Sequence, residues 1–255
     1  MDKFRNSKIS INDMLLRKIV YSIEKGIGED QQQYLNGNHK ETNNAMKFLK
    51  GDDINTNLRN HIVKDNIDLI PFQRNGWYGR IIIDRKDHIT YSIMTEGNLA
   101  TIPRKKNRVT PHYLQSILYA ENKNCIAKTR QMTLQDFGIT IFDTDVLEQD
   151  FEKISQGLID RKEDYRHYIV SYIANHGEII SITLKFLDKE FNIVDEEPLM
   201  QYIRPDFAQL TNTVSETESK EDNSHSKKSL VSIRDGVKPK LREMEKVLKN
   251  KFRRF

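Results

Sequence analysis

The chain has 255 residues, with 41 Lys and Arg against 37 Asp and Glu, a formal charge of +4, one Cys, 6 Pro and 11 Gly. That length holds one large domain or two small ones with a real core, but 37% apolar and 31% charged residues place part of the chain outside that core. The lone Cys125 excludes an intrachain disulfide and a Cys-rich zinc site, and the Pro and Gly counts exclude collagen-like or Pro-rich architecture.

The N-terminus, MDKFRNSKIS, has no apolar run of signal-peptide length, and no stretch reaches the 18 apolar residues of a membrane span. A cytoplasmic location is the expectation. Ser10 is placed to cap a first helix carrying Ile11, Met14, Leu15, Ile19 and Ile23, stopped by Gly26 and Gly28. A second helix is expected over 44–49, ended by Gly51, and a third begins at Asp52 or Asp53 and carries Ile54, Leu58, His61 and Ile62.

The period then changes. Residues 67–72 read as a strand, and 77–83 and 89–94 as a hairpin about the polar turn 84–88. Residues 99–102 read as a further strand. Thr110 followed by Pro111 predicts a helix start, with Tyr113, Leu114, Ile117 and Leu118 on its apolar face. Residues 125–133 and 139–142 are strand candidates, and Asp143 or Asp145 caps a helix through Phe151, Ile154 and Leu158. A second meander runs 165–174, 178–187 and 191–194, and Pro198 opens a short helix ending near Ile203.

The fold class is therefore α+β: an N-terminal helical region over 1–65, then a body over 66–210 built of two antiparallel meanders, each followed by a helical segment. Residues 211–229 are polar and nearly free of apolar side chains, as a disordered linker is. Residues 230–255 read as a basic amphipathic helix.

Charge is distributed unevenly. Residues 227–255 hold eleven basic and three acidic residues, a net of +8, while 1–226 carry −4. The tail helix aligns Leu241, Met244, Val247, Leu248, Phe252 and Phe255 on one face as a candidate partner-binding stripe, with Lys246, Lys249, Arg253 and Arg254 as candidate nucleic-acid contacts. Such a helix binds DNA or RNA, an acidic protein groove or an anionic membrane surface, or docks on its own body.

The second candidate region is the aromatic and basic stretch 72–113, with Trp77, Arg80, Arg104, Lys105, Lys106, Arg108, His112 and Tyr113. Basic side chains contact phosphates and exposed aromatics stack on bases. Beside the N-terminus of the helix after Pro111, Arg104, Arg108, His112 and the backbone form a candidate phosphate site. Asp68 followed by Asp84-Arg85-Lys86 resembles the D…(D/E)-x-K pattern of metal-dependent nucleases, although Asp84 also suits a turn. No H-E-x-x-H, P-loop or G-x-S-x-G motif is present, and no metal or cofactor is expected.

The segment from Asn75 to Asn122, through Trp77, Tyr91, Pro111, His112, Tyr113 and Leu114, resembles uncharacterised proteins of low-GC Gram-positive bacteria and their prophages. The resemblance implies a phage or mobile-element setting and no particular activity. The expectation is a protein that binds nucleic acid or a nucleic-acid-associated partner. The alternatives are a nuclease, metal-dependent or metal-free, and a protein-interaction factor docking through its C-terminal helix. Its oligomeric state is left open.

Overall fold

The computed structural model describes residues 11–38, 41–42, 44–64, 66–74, 76–105, 108–125, 127 and 142–204. The expected linker and the expected C-terminal helix lie outside these residues, as does most of the two strand candidates over 125–133 and 139–142.

Three helices come first: α1 (Asp13–Ile27), α2 (Glu29–Gly37) and α3 (Met46–His61). A first meander follows, β1 (Ile67–Arg74), β2 (Trp77–Asp84) and β3 (Ile89–Thr95). The chain then passes through α4 (Glu96–Thr101), α5 (Tyr113–Asn122) and α6 (Thr144–Ser155) to the second meander, β4 (Arg166–Asn175), β5 (Glu178–Leu187) and β6 (Ile193–Pro198). A 3-10 turn over Met200–Tyr202 follows.

The two meanders form one open mixed sheet in the order β1-β2-β3-β4-β5-β6. Every neighbouring pair is antiparallel except β3 and β4, which run parallel from Ile89↔Arg166 to Thr95↔Tyr172. A parallel pair needs a crossover of a dozen residues or more. The segment containing α4, α5 and α6 is that crossover.

Alternation along the strands divides the core. Ile67, Ile82, Ile89, Tyr91, Val170 and Leu184 face α1 and α3. Ile70, Phe72, Ile81, Ile83 and Ile169 face α4, α5 and α6. The central strands are apolar on both faces because helices cover both. On α1, Leu15, Ile19, Ile23 and Ile27 form the buried stripe, and Gly26 lets α3 approach: a Cβ there would lie 2.9 Å from the Ile54 backbone nitrogen. Residues after β6 are strapped to α1, with Arg17 over the Tyr202 ring at 4.7 Å and Arg204 on Glu24 at 3.1 Å.

Several local expectations change. The cap of α1 is Asn12, whose side chain accepts from Leu15 N–H, in place of Ser10. Residues 46–61 form one helix through Gly51, at which no neighbour interrupts the turn. Residues 96–101 are helical rather than extended, because Thr95 caps them by accepting from Asn98 N–H. The cap of α5 is His112, two residues past Thr110. Pro198 closes β6, so the turn after it starts two residues later than the Pro signal implies.

Candidate functional site

Consecutive strand residues point to opposite faces, so the β1–β2 hairpin sorts its aromatic and basic residues. Arg74 pairs with Trp77 and Phe72 with Gly79 on the face covered by α5 and α6, while Gln73 pairs with Tyr78 and Pro71 with Arg80 on the other. Arg80 is thereby separated from Trp77, and its Nη1 donates to the Gly79 carbonyl at 3.2 Å.

Trp77 is 48% exposed, yet its ring is fixed. It stacks on Tyr113 with centroids 5.7 Å apart and planes at 27°, and meets the Phe72 ring edge-on at 5.6 Å. Tyr113 is in turn flanked by His112 at 4.4 Å and Phe72 at 4.8 Å. Gly79 makes room for the group: a Cβ there would lie 2.6 Å from Phe72 Cε1 and 2.7 Å from Trp77 Cη2.

Positive charge surrounds this aromatic group. Burial first, and then the charges of Arg108, Arg74 and Lys105, push the His112 imidazole down to about 3. The ring is neutral and its Nδ1 accepts the Leu114 N–H at 3.2 Å, while Gln115 Oε1 accepts the His112 N–H at 2.7 Å. This capping box occupies N–H groups at the start of α5. An approaching anion therefore meets the Lys105 and Arg108 side chains rather than a bare helix end. Arg74 is tied to Asp150, which also accepts from Ser116.

The structure thus brings together Trp77, Lys105, Arg108, His112 and Tyr113. Arg104 is exposed, and the charges that act on His112 are those of Arg108, Arg74 and Lys105. Lys106, Lys246, Lys249, Arg253 and Arg254 lie outside the described residues, as do Leu241, Met244, Leu248, Phe252 and Phe255.

Beneath the aromatic group runs a polar chain that the sequence reading missed. Ser92 Oγ lies 2.9 Å from His167 Nε2, and His167 Nδ1 lies 2.7 Å from Thr90 Oγ1, which donates to Glu121. Since Thr90 spends its proton on Glu121, His167 carries its own on Nδ1 and accepts from Ser92 at Nε2. Tyr113 hydroxyl joins the chain at Ser92. Asn122 locks the strand beside it: its amide donates to the carbonyls of His167 at 2.9 Å and Leu187 at 2.7 Å, and its oxygen accepts the His167 N–H at 2.9 Å. Burial raises Glu121 to about 8 and lowers His167 to about 3. Both are sealed from solvent, with His167 0% exposed. The legible signal was polar Thr90 and Ser92 inside an apolar strand.

Asp68 and Asp84 do not converge. Asp68 pairs across the sheet with Ile83 and Asp84 with Ile67, so the two carboxylates project from opposite faces. Asp84 accepts the N–H groups of Lys86 and Asp87 at 3.1 and 3.2 Å, which is the turn role expected of it, and Asp68 binds Arg85. Among the described residues no three His, Cys, Asp or Glu side chains are grouped to hold a metal ion, and no helix is long and apolar enough to cross a membrane.

These features define an α+β protein with an open six-stranded mixed sheet, a closed polar interior and, among the described residues, an aromatic, cationic surface at the start of α5. The chain belongs to the family of unknown function DUF5986, whose model matches residues 8–250. No curated protein and no solved structure matches it.

Proposed function

We propose that the protein binds nucleic acid, or a partner that presents it, at the surface formed by Trp77, Lys105 and Arg108. The observation that carries this reading is the half-exposed Trp77 ring, held rigid on Tyr113 over a glycine in a field of positive charge. A fixed aromatic ring offers stacking without an ordering cost, and neighbouring cations supply salt-dependent attraction to phosphates. The basic segment 227–255 adds sequence-independent affinity of the same kind. The resemblance over 75–122 supports a phage- or mobile-element-related setting. Nuclease chemistry draws no support from Asp68 and Asp84, which face apart.

The protein has one tryptophan, so its fluorescence reports directly on the site. Titration with single-stranded DNA and RNA oligonucleotides at low salt is expected to quench Trp77 emission. Loss of one stacked base, in Trp77→Ala, costs about 1–3 kcal/mol of affinity. Lys105→Ala with Arg108→Ala reduces the salt dependence. Absence of retention on either nucleic acid at low salt refutes the reading and favours a protein partner.

A further inference from the structure

Within the aromatic group at the start of α5, Tyr113 and Phe72 are 3% and 5% exposed, whereas Trp77 is 48% exposed. Trp77 is therefore the outermost ring and the one a ligand reaches. Tyr113 stacks on it and Phe72 meets it edge-on, so its orientation is set before anything binds. Tyr78, the other exposed ring of the hairpin, belongs to the opposite sheet face, so β1 and β2 present a single exposed ring here. A ring stacks on a base only where the face of that base is open. In a duplex each base is covered above and below by its neighbours, and baring one costs unstacking and unpairing energy. An unpaired base needs no such step.

Reading which base is present needs side-chain donors and acceptors aimed at base edges. Among the described residues, those next to the ring are engaged within the protein. Arg74 and Ser116 both bind Asp150. His112 Nδ1 accepts the Leu114 N–H, and Gln115 Oε1 accepts the His112 N–H. The Tyr113 hydroxyl is bonded to Ser92. The exposed Lys105, with Arg108, supplies positive charge around His112, and such charge meets phosphates whatever the base.

On the nucleic-acid reading of this surface, we propose that the site takes one unpaired base of a single strand, stacked on Trp77, without selecting its identity. The shared chemistry of DNA and RNA here is an open base face beside a phosphate. The test is fluorescence anisotropy of the full chain with labelled ten-nucleotide strands of thymidine, of deoxyadenosine and of uridine, and with a strand of equal length made only of abasic phosphodiesters. Relaxed covalently closed circular duplex, which has no ends, serves as competitor at equal phosphate. The three base-bearing strands are expected to bind within about threefold of one another, and the abasic strand about fivefold or more weaker, the loss of one stacked base. Trp77→Ala should bring the base-bearing strands down to the abasic one and leave the abasic affinity within about twofold. Trp77→Tyr, which keeps a ring over Tyr113, should retain most of the difference with the thermal transition unchanged. The proposal is overturned if the abasic strand binds as tightly as the others, if the circular duplex competes as well as the thymidine strand, or if one base or sugar is preferred more than about tenfold. In each of those cases binding to nucleic acid itself still stands. Failure of every strand to bind at low salt overturns the nucleic-acid reading as well.

Discussion

Replacing Glu121 by Gln is expected to make the protein more stable at pH 8, although it alters the centre of a buried hydrogen-bonded chain. Burial raises this carboxyl to about 8 from a reference of 4.5. The folded chain therefore keeps a proton that the unfolded chain loses above pH 4.5, and stability falls as pH rises from 4.5 to 8. His167 acts in the opposite sense: burial lowers it from 6.5 to about 3. The unfolded chain takes up a proton that the folded chain refuses, and stability falls as pH drops from 6.5 to 3.

Between pH 4.5 and 6.5 the two slopes cancel, because folded and unfolded pairs each hold one proton. The natural chain should show a plateau there, with a loss on each side at about 1.4 kcal/mol per pH unit. The amide introduced by Glu121→Gln mimics the protonated acid, still accepts from Thr90, and cannot ionise. The variant keeps only the histidine term, flat above pH 6.5 and falling below it. Its advantage over the natural chain grows through the interval from pH 4.5 to 8, to at most roughly 5 kcal/mol. Urea unfolding followed from pH 4 to 9, with the midpoint converted through a common m-value, measures that difference directly. A gap independent of pH, or a variant less stable at pH 8, would refute the assignment of the buried proton to Glu121.

Other perturbations test neighbouring parts of the fold. Asn122→Ala strips partners from two buried carbonyls and one N–H, and a loss of about 3 kcal/mol or more is expected in thermal melts. Gly79→Ala forces a methyl into Phe72 and Trp77, so a loss of about 1–3 kcal/mol should accompany a red shift of Trp77 emission. His112→Ala removes the cap of α5 for about 1 kcal/mol, while His112→Asn retains most of it. Because His112 titrates only near 3, the Leu114 amide resonance of the natural chain should not move between pH 5 and 8.

Where local chemistry decides conformation, the sequence was legible. Alternation located both meanders, Asp84 marked the β2–β3 turn, and the stripe from Leu15 to Ile23 located α1. Errors collected where local signals compete. Gly51 reads as a stop, yet α3 continues through it because tertiary packing of Ile54, Leu58 and Ile62 outweighs a propensity cost of about 1 kcal/mol. Thr110-Pro111 and His112 both offer a start for α5, and the reciprocal bond to Gln115 selects His112. Of the candidate site, the residues 77 to 113 were visible as a basic aromatic segment. Their division between sheet faces was not, since it depends on the register that sets Arg74 against Trp77.

By itself, then, the sequence determined the α+β class, the two meanders and the separation of a basic tail from an acidic body, because periodicity and charge are properties of neighbouring residues. Only the tertiary structure joined the meanders through the parallel β3–β4 pair, turned Asp68 and Asp84 to opposite faces, and gathered Thr90, Ser92, Glu121, Asn122 and His167 into one interior chain. Those contacts link residues up to 77 positions apart. No local pattern encodes them, since the desolvation that governs Glu121 and His167 exists only once helices cover both faces of the sheet.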